Sequence, residues 1–130
     1  MGADAQTALA VVTVPFGLDN KVEDTLVQLL AGTVEVLNEA GAALVGGHTT
    51  EGAELYCGLS LTGLVDAEEV LRKGGLQPGD RLILTKGLGT GTLFAAEMRL
   101  RAKGRWIDAA IQAMLQSSKA AAVSFRRHAA

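Results

Sequence analysis

The stretch Leu44–Gly58, LVGGHTTEGAELYCG, decides how this sequence is interpreted, because it joins two apolar runs through glycine, histidine and threonine. A connection that only reversed the chain could be shorter and simpler. We therefore predict a loop over residues 46–53 that holds a ligand between two strands.

Two glycines open this predicted loop and favour anion binding. Gly46 and Gly47 allow backbone conformations closed to other residues, so that successive N–H groups can face one anion. His48 adds an N–H donor or a positive charge, and the hydroxyls of Thr49 and Thr50 add neutral donors. This chemistry suits phosphate, although no Gly-Lys-Ser/Thr follows, so the loop is not a P-loop. A tight strand-to-strand turn with an exposed histidine is the alternative that the residues alone leave open.

The residues before the loop predict a strand, a helix and a second strand. Ala8–Val14 is short and β-branched, which is typical of a strand covered on both faces. Asn20 predicts the N-cap of a helix that ends at Gly41. Ala42–Val45 predicts a second buried strand, and a right-handed parallel pairing is expected if the two strands are neighbours. One stripe of the helix is apolar: Leu26, Leu29, Leu30, Val34 and Leu37.

The residues after the loop predict a two-faced strand over Glu54–Val65. Its expected core face carries Leu55, Cys57, Leu59, Leu61 and Val65, and its other face carries Tyr56, Ser60 and Thr62. On the core face, a lone cysteine is interpreted as a small hydrophobe and not as a nucleophile.

The last third of the sequence predicts one strand and three helices. Asp80–Lys86 has the apolar run of a strand. Helices are expected at about Thr92–Arg101 and from Trp106 to about Gln116, followed by a helical, alanine-rich tail. "LTKGLGTGTLF" (84–94) has glycine-rich spacing, but it lacks the full G-x-G-x-x-G of a dinucleotide site, so a packing turn with Thr90 as helix cap is favoured.

Three further polar groups are interpreted as ordinary surface. Lys86 follows a predicted strand and could reach a phosphate, but solvation is the default for a lysine. The acidic group Asp66, Glu68 and Glu69 lies in a connection, where solvation is favoured over metal coordination. The short basic run Phe125–His128 is typical of a solvated helix face.

Composition excludes several classes of protein. The 130 residues fit one domain of ordinary size, and the single cysteine cannot form an internal disulfide. The formal charge of −2 gives no electrostatic reason to expect nucleic acid or an anionic membrane as partner. No signal-peptide pattern opens the chain, and no apolar run approaches the ~20 residues of a membrane span. A cytoplasmic location is expected.

Three segments resemble the selenophosphate synthetase (selenide, water dikinase) family. Ala40–Val65, AGAALVGGHTTEGAELYCGLSLTGLV, looks like the central motif of that family. Met1–Pro15 resembles the segment that follows its Asp-x-x-x-Met-Gly motif, and Pro78–Met98 resembles the start of its second domain. The similarity is greatest to the bacterial form fused behind a pyridine nucleotide-disulfide oxidoreductase-like domain. Aminoimidazole ribonucleotide synthetase and thiamine-monophosphate kinase share the architecture.

The resemblance implies an ATP-dependent enzyme that converts selenide, ATP and water to selenophosphate, AMP and phosphate, with magnesium as cofactor. In this family the residues matching Gly47, His48 and Thr49 contact ATP from the neighbouring subunit of a homodimer. The strand that follows helps to build a barrel shared by both subunits.

The resemblance also implies that catalytic parts lie outside this sequence. The nucleophilic cysteine or selenocysteine and the lysine of the family lie in an N-terminal segment that is absent here. The metal-binding aspartates lie before residue 1 and after residue 130, so no catalytic and no metal residue is assigned. A chain without those carboxylates lacks the main catalytic term of phosphoryl transfer and is expected to be inactive alone. The alternative is a non-catalytic nucleotide-binding or dimerisation module of the same superfamily.

The expected fold class is α+β, as part of an aminoimidazole ribonucleotide synthetase-like two-domain architecture. Residues 1–66 would form a partial N-terminal ATP-binding and dimerisation domain. Residues 67–78 would connect it to residues 79–130, the start of a C-terminal α/β domain. Strand edges left open in such a fragment would need cover from missing sequence or another chain.

Overall fold

A computed structural model describes residues 2–128, which form two compact units. One unit is Ala3–Val70, and the other contains the remaining described residues. The first unit holds strands β1 (Asp4–Pro15), β2 (Ala43–Gly52) and β3 (Tyr56–Leu64) and helix α1 (Asp19–Ala40). The second unit holds helices α2 (Thr90–Glu97), α3 (Gly104–Leu115) and α4 (Lys119–Arg127). A 3-10 turn at Ala67–Glu69 ends the first unit. The α+β class is confirmed.

The three strands form one mixed sheet in the order β2-β1-β3. The pairing of β1 with β2 is parallel, as the sequence predicts for neighbouring strands joined through a helix, and the pairing of β1 with β3 is antiparallel. Strand β2 carries one extra residue, because Ala8 pairs with Leu44 while Leu9 pairs with Gly46, and Val45 has no partner. This β-bulge shifts the alternation of every residue after it in β2.

Helix α1 packs on β1 and β2 and creates the core of the first unit. Alternate side chains of β1 face the helix and are buried: Ala8, Ala10, Val12 and Val14. They meet Val22, Leu26, Leu29, Leu30 and Leu37 of α1. Burying Val12 and Val14 stabilises the sheet–helix contact by about 2 kcal/mol for each side chain. The apolar stripe predicted from the sequence is therefore the face that α1 buries, except at Val34, which is 38% exposed.

The two ends of α1 differ in how well the sequence predicted them. Gly41 ends the helix in the left-handed region at φ 76°, and its N–H donates to the Asn38 carbonyl at 3.0 Å. The cap predicted at Asn20 is wrong, because Leu18 occupies the N-cap position and no side chain caps the helix. The C-terminus was predictable because its left-handed backbone conformation favours glycine. The N-terminus was not, because its first turn is closed by backbone groups alone, without a capping side chain.

Two faces predicted to be buried are open among the described residues. The second face of β1 carries Leu9 and Val11, each 48% exposed, so β1 is covered on one side only. The predicted core face of β3 is also wrong, because Leu59 is 43% exposed, Leu61 is 58% exposed and Cys57 is exposed. Helix α1 lies over the other two strands, which leaves β3 without a covering layer.

The second unit contains three helices but not the predicted strand. Residues 80–86 lie outside the helices and strands, with Leu82 84% exposed. A strand needs a neighbour for its backbone groups, and among residues 71–128 the structure shows no strand to supply one. The helices are close to expectation, although α2 begins at Thr90 and Gly89 occupies its N-cap at φ 101°. The cap assigned to Thr90 is therefore wrong.

Candidate functional site

The predicted ligand loop is part of strand β2. Gly47 pairs with Ala10, His48 with Val11 and Thr49 with Val12 in the parallel ladder, which continues to Gly52 opposite Pro15. The chain reverses only at residues 53–55. The loop prediction is wrong because β1 is twelve residues long and offers partners along the whole stretch.

Gly47 is required by the approach of β1 to β2. At φ 157° its backbone adopts a conformation that residues with a side chain rarely reach. A Cβ atom built on it would overlap the carbonyl oxygen of Ala10. The glycine therefore has a structural role in the sheet, whatever else it contacts.

The strand places His48 and Thr49 on opposite sides of the sheet. His48 shares its side with Val11, away from α1, and Thr49 shares the α1 side with Val12. Both side chains are exposed. Thr50 lies on the His48 side, where its Oγ1 is 3.2 Å from Oγ1 of Thr13. Within residues 2–128, no hydrogen bond is formed by the side chains of His48 and Thr49, so both remain available to a ligand.

This geometry changes the phosphate cradle predicted from the two glycines. Successive N–H groups of a strand point to opposite edges, so those of Gly46 and Gly47 cannot converge on one anion. Strand β2 is nevertheless at the edge of the described sheet, and half of its N–H groups face away from β1. A ligand at β2 would meet spaced donors along this edge, with His48 on one side and Thr49 on the other.

The side of the sheet opposite α1 forms a continuous uncharged surface. We call this surface the open face. It consists of Leu9, Val11, Thr13, His48, Thr50, Tyr56, Ser60 and Thr62, counting the histidine as neutral. Tyr56 is 58% exposed and lies along the surface, since its hydroxyl oxygen is 2.8 Å from where a Cβ on Gly58 would be. Sequence reasoning missed this face on β1; the alternation of Leu9, Val11 and Thr13 is the signal that could have indicated it.

The other candidate residues do not assemble into a site. Among residues 2–128, no group of three or more histidine, cysteine or carboxylate side chains could hold a metal ion. Asp66 accepts the backbone N–H of Glu69 through its carbonyl at 2.9 Å, within the 3-10 turn. The Lys86 ammonium donates to the backbone carbonyl of Gln116 at 2.8 Å, so it stabilises the end of α3. Over the same residues, no helix is long and apolar enough to cross a membrane.

The mixed sheet, which is covered on one side by a long helix, defines an α+β domain. Residues 1–65 match the family described as AIR synthase related protein, N-terminal domain, and the chain belongs to this family.

Several curated relatives of the chain carry the same name, selenide, water dikinase. The chain is 48% identical over 96 residues to selenide, water dikinase of Nitratidesulfovibrio vulgaris (strain Miyazaki F), which covers 74% of the chain and 27% of the relative. It is 36% identical to selenide, water dikinase of Clostridioides difficile over 98% of the chain and 36% of the relative. It is 40% identical to selenide, water dikinase of Desulfitobacterium hafniense, and this match covers 97% of the chain and 36% of the relative. The chain thus spans 21–36% of the length of four of the curated relatives that it matches.

Proposed function

We propose that this chain is part of an ATP-dependent selenophosphate synthetase. In the complete enzyme, selenide, ATP and water would give selenophosphate, AMP and phosphate. The proposal is supported by the family match over residues 1–65 and by relatives named selenide, water dikinase that align with up to 98% of the chain. We propose a cytoplasmic location as well, because the reaction consumes ATP.

The contact with ATP is proposed for Gly47, His48 and Thr49. The observation that carries it is the exposed His48 imidazole, which lacks a hydrogen-bond partner in the described part of the chain and stands on a surface without competing carboxylates. An imidazole N–H is a suitable donor to a phosphate oxygen, and its protonated form strengthens the bond. Thr49 would reach the same ligand around the free edge of β2. Gly47 would hold β2 close to β1, so that the edge keeps its position.

We propose that the open face packs against a second copy of this chain. Three large side chains of this face are 48–58% exposed: Leu9, Val11 and Tyr56. Burying their apolar surface against a partner would lower the free energy of the assembly. Asp, Glu, Lys and Arg side chains are absent from the face, so two copies can meet without burying one of these charges. The ATP bound by one subunit would then receive His48 from its neighbour.

We propose magnesium as a cofactor of the complete enzyme only. The residues that the structure describes do not fit a magnesium site, because their carboxylates form no cluster. The second candidate function is a non-catalytic nucleotide-binding or dimerisation module. We retain the proposed domains, residues 1–66 and 79–130 with a connection at 67–78.

The ATP contact is tested by replacing His48 in the complete enzyme. We expect His48→Ala to raise the KM for ATP about tenfold, the value of one hydrogen bond to a charged group, without lowering the melting temperature. His128→Ala, at the other histidine of the chain, is the matched control and leaves the KM unchanged. An unchanged KM in the His48 variant would remove the proposed contact.

The two candidate functions are separated by measuring selenophosphate directly. Phosphorus NMR with selenide and ATP should detect the product with the complete enzyme but not with this chain alone. If the complete protein binds ATP but produces no selenophosphate, the non-catalytic module is the correct function.

A further inference from the structure

The net charge of the chain hides two oppositely charged segments. Eleven of its fourteen Asp and Glu residues lie before residue 71, together with a single Lys or Arg. The other eleven Lys and Arg residues lie from Arg72 onward, with three carboxylates. The charge of −2 is therefore an average, and the expectation of no nucleic-acid partner does not apply to each segment separately.

The positive charge is densest between the end of α2 and the first turn of α3. Arg99, Arg101, Lys103 and Arg105 occur at every second position and are all exposed. We call residues 99–106 the basic loop. It contains no carboxylate, and in the described part of the chain its arginine side chains form no ion pair. Its positive charge is thus not neutralised locally.

The backbone of the basic loop is fixed by hydrogen bonds to the last turn of α2. The Arg101 N–H donates to the Ala96 carbonyl at 2.9 Å, and the Leu100 N–H donates to the Glu97 carbonyl at 2.7 Å. This is the Schellman pattern, with Leu100 in the left-handed region at φ 56°. A loop already ordered in this way loses little backbone entropy when it binds a partner.

The loop ends with an aromatic ring that is held in place on one side. The Lys103 ammonium lies 5.2 Å from the centroid of the Trp106 ring, a cation–π contact. The Trp106 N–H of the backbone donates to the Lys103 carbonyl at 2.8 Å, which fixes the start of α3. The side chain remains 42% exposed. A positioned, half-exposed indole beside arginines is suited to stack on an unpaired base.

We propose that the basic loop binds a single-stranded nucleic acid. Arginines at alternating positions would contact successive phosphates, since the guanidinium group matches phosphate in a bidentate manner. Trp106 would stack on one base. An anionic membrane fits less well, because residues 99–103 lie outside the helices, whereas surface-binding segments of this kind are amphipathic helices. This role is independent of the proposed dikinase function.

The test is a titration of the intact chain with a fluorescein-labelled oligouridylate of about 15 nucleotides, a length within the range of single-strand sites. Trp106 is the only tryptophan, so its fluorescence reports on the loop directly. We expect saturable binding at low salt, quenching of Trp106, and an affinity that falls as salt rises. Binding without any change in Trp106 fluorescence would overturn the proposal.

Matched variants separate the loop from charge in general. Replacing Arg99, Arg101 and Arg105 by glutamine should weaken binding about tenfold or more and reduce the salt slope by about 2, since each phosphate contact contributes about 0.7. The control replaces three exposed arginines elsewhere, Arg72, Arg81 and Arg127. Equal losses in both triple variants would show that net charge alone binds the probe and would overturn the proposal.

Two further measurements complete the test. If the loop variant loses helical circular dichroism, the three single variants replace it, each expected to lower the slope by about 0.7. Vesicles of phosphatidylglycerol are tested in parallel. A blue shift of Trp106 emission with vesicles, and no quenching by the oligonucleotide, would assign the loop to a membrane surface instead.

Discussion

Gly47 lies opposite Ala10 in the parallel ladder so closely that a Cβ atom on Gly47 would overlap the Ala10 carbonyl oxygen. The glycine therefore determines how near β2 can come to β1. His48 and Thr49 follow directly, so the spacing of the two strands also sets where these side chains stand.

Replacing Gly47 should destabilise the first unit. We expect Gly47→Ala to lower the free energy of unfolding by about 3 kcal/mol, because the new methyl group forces the strands apart and the backbone conformation is strained. Urea unfolding followed by circular dichroism measures the change. The control is Gly32→Ala within α1, where no atom beyond the adjacent residues and the nearby backbone of the helix lies within 4 Å of the new methyl group. It should raise stability by about 0.5–1 kcal/mol through helix propensity, and a similar loss in both variants would contradict the explanation.

The core prediction concerns Val12, which is 1% exposed. Val12→Ala removes two buried carbon groups and leaves a cavity, so we expect a loss of about 2 kcal/mol in the free energy of unfolding. Val36→Ala is the matched change at a position that is 60% exposed on α1, and it should stay within about 0.5 kcal/mol. Equal effects in urea unfolding would show that α1 does not cover β1 in solution.

Leu100 provides a prediction of the opposite sign. Its left-handed backbone costs a non-glycine residue about 1–2 kcal/mol, and its side chain is 91% exposed, so little packing is lost with it. Leu100→Gly should therefore stabilise the second unit by about 0.5–1 kcal/mol after the entropy cost of glycine. The measurement is urea unfolding monitored by Trp106 fluorescence. Leu88→Gly, at another exposed leucine without positive φ, should give no gain; stabilisation by both would refute the conformational explanation.

The proposed packing of the open face against a second copy predicts that a charge placed on this face disrupts the dimer. Val11→Asp would bury a charge against a second copy, so the dissociation constant of the dimer should rise at least about 100-fold. Light scattering after gel filtration should then report a monomer. Val27→Asp introduces the same charge at a 58% exposed position of α1 and should leave the dimer intact. A dimer that survives the change at Val11 would place the interface elsewhere.

The sequence predicted correctly those elements whose residue pattern is compatible with a single structure. Helix α1 follows from its apolar stripe and from Gly41, and the parallel β1–β2 pair follows from the strand–helix–strand order. The glycine pair at residues 46 and 47 was ambiguous, because glycine serves both an anion-binding loop and a close approach of two strands. Only the pairing with β1 distinguishes the two, and pairing over a long sequence separation cannot be derived from local composition.

Burial and charge were harder to predict than secondary structure. Leu59 and Leu61 alternate as a core face should, but whether a face is covered depends on where α1 lies. Residues 80–86 have the composition of a strand, and no described strand of the second unit can pair with them. The net charge concealed the segregation of carboxylates and cations along the chain, which a count over each half would have revealed.

Because Val45 is an extra, unpaired residue, β2 can lose a residue at this point more easily than it can gain one. Loss of one residue between Leu44 and Gly47 would restore a regular ladder and keep His48 opposite Val11. Gain of one residue would demand a second irregularity, or it would rotate His48 to the helix-covered side. Lineages of this domain should therefore accept a single deletion in this short interval and reject a single insertion.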